Sequence, residues 1–482
     1  MSDLLVAGGT VLTMDADRRV LDDGAVFIRD MRIAEVGPAA ELRQRHAGAE
    51  TLDATGMAVM PGLIDAHGHA GHSLVKGIAE HVGSAAWAPI VERIYHHHTT
   101  PDFWLAESRL AALERLKFGV TTGASMVGSS GRCDDPIYAG MVAQGYTELG
   151  VRAVVAVGAP GGSWPKQFTS LESGQPEPVS VTFEQAVRTI ESAMRAWHGS
   201  ADGRISVYPG PSSIMPSFTD ARRVDPTNPP PVTDLDRAQA DAMLRLAEEY
   251  DTGIHAHAFG GQIMAAHRDG VACLGPRYSL AHCAGISADE VRIIAETGTS
   301  VVHGPLTRAG VGARCPVVEL LDAGATVAFG TDGTAPDRSF DVLEKVRFGM
   351  WLQRHHFRDT HLIPPGKALE MATTDAARAL RLPDLGSLEP GKLADVTIID
   401  LRKPHLAPVA MVPQRLAYLA SGQDVDTVIV NGEVLMRGRK VLGADEDAIM
   451  ADATREMWRM VERADVASYM GIPENFWGSV RY

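Results

Sequence analysis

The sequence predicts an α/β protein: a (β/α)8 TIM barrel carrying a small β domain built from both termini. Three observations predict it. Between about residues 60 and 383, helical stretches alternate with short apolar runs, the mark of parallel βαβ units. That stretch has room for eight such units, which typically take about 250 residues. The two ends of the chain read instead as short strands with turn punctuation.

Taken in order, residues 4–7, 10–14, 24–29 and 32–36 are β-rich, with turns expected at Gly8-Gly9 and Asp30-Met31 and one helical period near 39–46. In the middle, helices are expected over 103–118, 184–197, 236–250, 288–297 and 317–323. Apolar runs suited to buried parallel strands follow at 120–124, 205–209, 253–258, 299–303 and 326–330. The far end returns to strands at 394–400 and 425–430, with Asn431-Gly432 as a hairpin turn into 433–436. The expected units are 1–59, the N-terminal part of the β domain; 60–383, the barrel; 384–440, the C-terminal part of the β domain; and 441–482, a helical extension ending in Asn475-Phe476-Trp477. An open doubly wound sheet is the rival architecture, but no GxGxxG turn or Walker sequence supports nucleotide binding.

Two loops stand out. Residues 158–180 are rich in Gly, Pro and Ser around Trp164 and Phe168, and 209–234 hold seven prolines. Long βα loops on a barrel usually shape the mouth of the active site, although a plain surface insertion has the same composition.

Composition narrows the partners. The chain of 482 residues is 45% hydrophobic and 22% charged, as for an ordinary globular protein. A formal net charge of −15 argues against nucleic acid and anionic membranes and is silent about a small molecule in a cleft. No signal peptide and no apolar run of membrane-spanning length is expected. Cys133, Cys273, Cys283 and Cys315 form no CxxC pair, which reads as reduced thiols in a cytoplasmic protein.

The chemistry starts at Pro61-Gly62-Leu63-Ile64-Asp65-Ala66-His67-Gly68-His69. Side chains at i and i+2 of a strand share a face, so His67 and His69 can aim two imidazoles at one point. That suits a divalent metal. A chance pair of histidines in a loop is the bland reading. Further strand-like runs end in His255-Ala256-His257, in Ala281-His282-Cys283, in Val302-His303 and in Thr331-Asp332-Gly333. A lone strand-end histidine is often only a hydrogen-bonded polar group. Several in order on successive βα units would meet at the C-terminal face of a barrel, where catalytic residues sit.

These motifs, PGLIDAHGH, LAHCAGISADEVRIIAETG, GATVAFGTDG and the late GSLEPGKLADVTIID, resemble the amidohydrolase superfamily, in the mononuclear branch with triazine hydrolases and nucleobase deaminases. The resemblance spans about residues 4–437. It implies a metal-dependent hydrolase on a (β/α)8 barrel, with a β-sandwich assembled from both termini and a homo-oligomeric state, dimer or higher. By position, His67, His69, His257 and Asp332 match the metal ligands, and His282 matches the histidine beside the metal-bound water or substrate. His255 and His303 have weaker counterparts, as pocket-lining or supporting groups. One divalent metal per subunit is implied, zinc first, with iron, cobalt and manganese also suited to N/O ligands. No lysine stands at the end of the fourth strand, Val207-Tyr208-Pro209-Gly210-Pro211, which disfavours a second metal. A bound metal lowers the pKa of water towards about 7. Asp332 is then expected to take the proton and pass it to the leaving group, with His282 orienting the water or polarising the substrate.

One departure shifts the reading. Family deaminases usually carry HxHxxE after strand five, where the glutamate protonates a ring nitrogen. Here Gly260 stands at that position. A carbonyl substrate does without that acid, so the first expectation is hydrolysis of an acyl C–N bond (amide, urea, carbamate or thiocarbamate) in a small, rather apolar molecule. The alternative is deamination or dechlorination of an N-heterocycle (triazine, purine, pyrimidine or pterin) with the acid supplied from elsewhere. Gly260 and Gly261 are expected to leave room for a bulkier substrate, and Gln262 to hydrogen-bond it. Trp87, Met126 and Trp164 are the remaining pocket candidates, although Met and Trp are more often plain filling. His96-His97-His98 reads as a loop-packing run rather than a metal tract. No GxSxG elbow occurs for a serine hydrolase. A barrel that only binds would have to retain this ligand set without use.

Overall fold

A computed structural model describes residues 3–128, 131–218, 224–225, 228–310, 313–474 and 476–478. The two ends of the chain meet in one nine-stranded sheet. Its order runs Lys440–Val441, Glu433–Arg437, Val425–Val430, Val396–Asp400, Met57–Pro61, Leu4–Leu12, Val20–Arg29 and Arg32–Pro38, with Glu50–Asp53 branching from Leu4–Leu12. The junction is antiparallel, with Ile398 opposite Val59 and Val396 opposite Pro61. Alternation supplies two apolar faces. Leu4, Val6, Val26, Ile28, Val59 and Ile398 bury one face. Leu5, Ala7, Ala25 and Phe27 bury the other against Leu42 of the helix Ala39–Arg45.

Gly8-Gly9 is not the expected turn. Leu4–Leu12 runs straight through it, with register shifts on either side of Gly9, and Gly8 at φ 96° absorbs the irregularity as a bulge. Asp30-Met31 does turn the chain, with Asp30 in the left-handed region.

Eight parallel strands follow in chain order, in an α/β fold of the TIM-barrel type. Leu63–Asp65, Val120–Val127, Arg152–Val157 and Ile205–Pro209 pair in sequence, with His69–Ala70 added beside the second. Ile254–Phe259, Tyr278–Ala284, Ser300–His303 and Val327–Phe329 form the second set. The first and eighth strands are joined by Ala66 N–H donating to the Phe329 carbonyl and Asp332 N–H to that of His67. Between the fourth and fifth, the Tyr208 ring packs on Gly253, and Ile214 N–H reaches the His257 carbonyl. Ile64, Ala66, Ala124, Val154, Tyr208, Val302 and Ala328 make the interior cluster with the small face of the helix Thr374–Ala379.

The helices start where their caps dictate. Capping boxes at Thr182, Thr233 and Ser287 begin Phe183–Trp197, Asp234–Glu249 and Ala288–Thr297. The loop expected over 158–180 contains a hairpin, Lys166–Ser170 with Glu177–Val181. Its Phe168 lies against His96, and its Thr169 against His97 Nδ1, so that histidine run clasps the hairpin. The extension forms the helix Glu446–Ala464, packed on Pro101–Lys117. Beyond it Trp477 is 87% exposed. Asn475, with 219–223 and 226–227 of the proline-rich loop, lies outside the described residues. No helix among the described residues is long and apolar enough to cross a membrane.

Candidate active site

The site is assembled where the first, fifth, sixth and eighth strands end. Asp65 fixes two of these ends together. Its carboxylate accepts Thr331 N–H at 2.8 Å and Thr331 Oγ–H at 2.9 Å, and pairs with buried Arg115 at 2.7 Å. Thr331 precedes Asp332, so this buried pair holds the eighth strand against the start of the His67-Gly68-His69 segment.

Each of three imidazoles is aimed through its Nδ1. His69 Nδ1 contacts the Gly128 carbonyl at 3.0 Å, and His257 Nδ1 the Ser212 carbonyl at 2.7 Å. A carbonyl only accepts, so both Nδ1 atoms carry hydrogen, and a neutral ring in that tautomer presents a bare Nε2. Yet those two Nε2 atoms face each other at 3.3 Å. Lone pair against lone pair is repulsive unless a cation lies between them. His67 Nδ1 meets His255 Nε2 at 2.8 Å, and His255 Nδ1 meets Ser279 Oγ at 2.7 Å. His67 Nε2 is buried with no hydrogen-bond partner.

Asp332 completes the set. Its Oδ1 lies 3.2 Å from His69 Nε2 and 3.6 Å from His67 Nε2. Ligands at 2.0–2.1 Å in a tetrahedron stand about 3.4 Å apart, so these spacings fit a zinc-sized cation. His67, His69 and His257 form one buried group of ligand atoms with mutual spacings below 4.8 Å, and His67, His282 and Asp332 another. No ligand is a thiolate, since all four cysteines are buried free thiols elsewhere in the chain.

Electrostatics agrees with ligation. Burial pushes His257 and His282 well below the usual imidazole range and lowers His67, which keeps these rings neutral. Burial works to raise the Asp332 carboxyl, yet it stays well below the usual carboxylate range; with the facing Nε2 atoms bare, a bound cation would hold it ionised. Thr307 Oγ–H donates to Oδ2 at 2.7 Å, and Gly333 N–H to Oδ1 at 2.6 Å. His282 Nε2 is 3.9 Å from Asp332 Oδ2. Asp332 and His282 both adopt positive φ, 64° and 75°, as residues held by a functional site often do.

The rings form a row. His69 stacks on His257, His257 on His282, and His282 on Phe259, with centroids 5.2, 5.1 and 5.6 Å apart. At the other end, buried His72 stacks on His69 at 5.0 Å. His72 is absent from the expectations above. It falls three residues after the His-x-His, in the 3-10 turn His72–Leu74, where strand alternation gives no signal. Gly333 makes its position available, because a Cβ there would overlap His72 Nδ1.

The other pocket candidates divide. Met126 pairs with His69 across adjacent strands, and Trp87 meets His72 edge-on at 5.5 Å. Gln262 opens the helix Gln262–Arg268 after the fifth strand, with both ends of its amide engaged, Oε1 by Phe259 N–H and Nε2 by Ser213 Oγ. His303 packs on Phe329, which belongs to the layer outside the strands, and Trp164 packs on Phe183 beside the hairpin. The space expected beside Gly260 is filled. A Cβ there would run into the Gly285 carbonyl oxygen, so this backbone bars the glutamate as well as the bulkier substrate.

Comparison with known proteins agrees with this geometry. The model of the amidohydrolase family matches residues 58–435, and that of a bacterial imidazolonepropionase-like composite domain matches 24–49. A 5-methylthioadenosine/S-adenosylhomocysteine deaminase from Pelotomaculum thermopropionicum is 32% identical over 96% of this chain and 100% of its own. A 5'-deoxyadenosine deaminase from Methanococcoides burtonii is 31% identical over 96% and 99%. Among solved structures, an adenosine deaminase from Xanthomonas campestris with bound zinc superposes with TM-score 0.79 at 25% identity, over 96% of this chain and 99% of that one. Atrazine chlorohydrolase from Arthrobacter aurescens, complexed with zinc, superposes with TM-score 0.78 at 26% identity, over 94% and 100%. A cation-ready cluster at these strand ends and a family match over most of the length lead to one conclusion: the chain belongs to the amidohydrolase family and is a metal-dependent hydrolase of carbon–nitrogen bonds other than peptide bonds.

Proposed function

We propose that this protein is a zinc-dependent deaminase of an aminated N-heterocycle, with adenosine-type nucleosides first among its substrates. The supporting observation is the pair of bare Nε2 atoms, on His69 and His257, facing each other beside Asp332. The names of the relatives turn the choice from acyl hydrolysis to deamination. In this reading His67, His69 and His257 hold the metal through Nε2, and Asp332 holds it through Oδ1. Bound there, zinc supplies Lewis acidity that makes water a nucleophile near neutral pH. Asp332, kept ionised and oriented by Thr307, accepts the proton of the attacking water and delivers it to the departing amine. The C–N bond breaks, ammonia leaves, and the ring carbon keeps the oxygen. His282, neutral and beside Asp332, directs the nucleophile to the ring.

Gly260 favours a second reading, cleavage of an acyl C–N bond, because the acid that deaminases place there cannot stand on this backbone. One panel separates the two. Ammonia release from 5'-methylthioadenosine, S-adenosylhomocysteine, 5'-deoxyadenosine and aminotriazines is expected. Turnover confined to amides, ureas and carbamates would replace the first reading by the second.

We further propose that the eight strands close as a full (β/α)8 barrel over 60–383, and that the nine terminal strands, from 1–59 and 384–440, fold as a β-sandwich with 441–482 as an appendage. Buried free cysteines support a cytoplasmic setting, and exposed Trp351 and Trp458 support a homo-oligomer.

A further inference from the structure

We propose that Arg308 contacts the substrate: its guanidinium takes an electron-rich acceptor, a ring nitrogen or exocyclic oxygen of the heterocycle, on the His282 side of the metal centre. This rests on the heterocycle reading above. The deaminase chemistry needs charge stabilised at the ring nitrogen next to the attacked carbon, and Gly260 offers no side chain for it. The residue has to come from another element.

Three observations point to the helix Pro305–Gly310, which follows the seventh strand. Its Thr307 donates to Asp332 Oδ2 at 2.7 Å, which docks the helix onto the metal centre. The next residue, Arg308, is 8% exposed, so its charge is held inside the protein beside the site. Its guanidinium carbon lies 5.9 Å from the centroid of the Phe259 ring, and that ring stacks on His282 at 5.6 Å. Arg308 therefore ends the row of rings on the side of the fifth and sixth strands.

Chemistry then sets the class of ligand. A guanidinium cannot give up its proton in a protein, so Arg308 acts by hydrogen bonding, not as an acid. Its planar fork suits two adjacent acceptors, such as a ring nitrogen beside an oxo group. Among aminated heterocycles it selects those with an acceptor flanking the reacting carbon.

The test uses the zinc-loaded full chain with Arg308→Met and Arg308→Lys, reading kcat, KM, zinc content and thermal midpoint. On any substrate the wild type hydrolyses, kcat/KM of R308M is expected to fall about 10- to 100-fold, the range of a lost hydrogen bond to a charged group. Zinc content and midpoint should stay near wild type, with R308K recovering part of the loss. Equal kcat/KM, or a loss matched by loss of zinc or of folding, overturns the proposal. Inosine binding gives a turnover-free arm: about tenfold weaker binding to R308M is expected, and equal or absent binding to both proteins counts against it. Failure of the deaminase reading shows separately, in the wild type alone, as no ammonia from any aminated heterocycle.

Discussion

His67 Nδ1 lies 2.8 Å from His255 Nε2, the first link of a buried chain that continues to Ser279 Oγ. The chain has one consistent direction. His67 donates from Nδ1 so that Nε2 is free to ligate; His255 accepts at Nε2 and donates from Nδ1 to Ser279; and the Ser279 hydroxyl is 3.4 Å from the Ile254 carbonyl, which can accept from it. Removing such a partner typically costs 10–100-fold in metal affinity. His255→Ala is therefore expected to weaken zinc binding about 10- to 100-fold in a chelator competition, and Ser279→Ala to weaken it less. Wild-type affinity in His255→Ala would show that packing alone sets the His67 tautomer.

Asp332→Asn keeps the size of the side chain and its contact with Thr307 but removes the proton acceptor. A fall in kcat of about 10²- to 10⁴-fold is expected, with part of the metal retained. Chelation should abolish wild-type turnover, and added zinc should restore it. An Asn variant with metal bound and full activity would remove the proposed proton shuttle.

Gly260→Glu should not create a better deaminase. The Gly285 carbonyl occupies the place of the new Cβ, so the fifth-strand loop must move, at a cost of about 1–3 kcal/mol. A lower midpoint and reduced turnover are expected. Wild-type stability with higher ammonia release would mean that this loop yields easily.

Gly333→Ala forces His72 aside, because the new methyl overlaps its Nδ1. His72 stacks on His69, so a shift there disturbs a proposed metal ligand. A loss of up to about 100-fold in kcat/KM is expected, the scale of a misplacement near 1 Å. Unchanged kinetics would make His72 mere filling.

Stability should respond to acid through His303. Burial holds its ring down at about 3, with Arg308 and Arg314 adding to the effect, while an unfolded histidine titrates near 6.5. As pH falls, the unfolded chain binds the proton first. The contribution is present above about 6.5 and drains away towards 3, at no more than about 1.4 kcal/mol per pH unit. In urea denaturation of metal-free protein, His303→Leu should flatten the pH dependence between 7 and 5. A wild-type-to-variant difference that stays constant with pH would contradict this.

The convergence of the candidate ligands was legible in the sequence because strand alternation and strand-end position are local properties. His67-Gly68-His69, His255-Ala256-His257 and Thr331-Asp332-Gly333 announce themselves by spacing and apolar context. The rest depends on neighbours distant in sequence. Nothing near Gly260 tells that the Gly285 carbonyl fills its flank. His303 follows an inward-facing Val302 and so points outward, a parity the sequence holds but a strand-end reading overlooks. The pair Asp65 and Arg115 joins residues 50 apart, and although Asp65 stands within PGLIDAHGH, no motif surrounds Arg115 to point back to it.

The strand Met57–Pro61 has Val396–Asp400 as its neighbour, more than three hundred residues later. During synthesis it leaves the ribosome long before that neighbour exists, with an apolar strand edge uncovered. Ribosomes add about 5–20 residues per second, so that edge waits some tens of seconds, exposed to aggregation or to chaperones. Slow translation or a premature stop would harm this protein first at its amino-terminal strands.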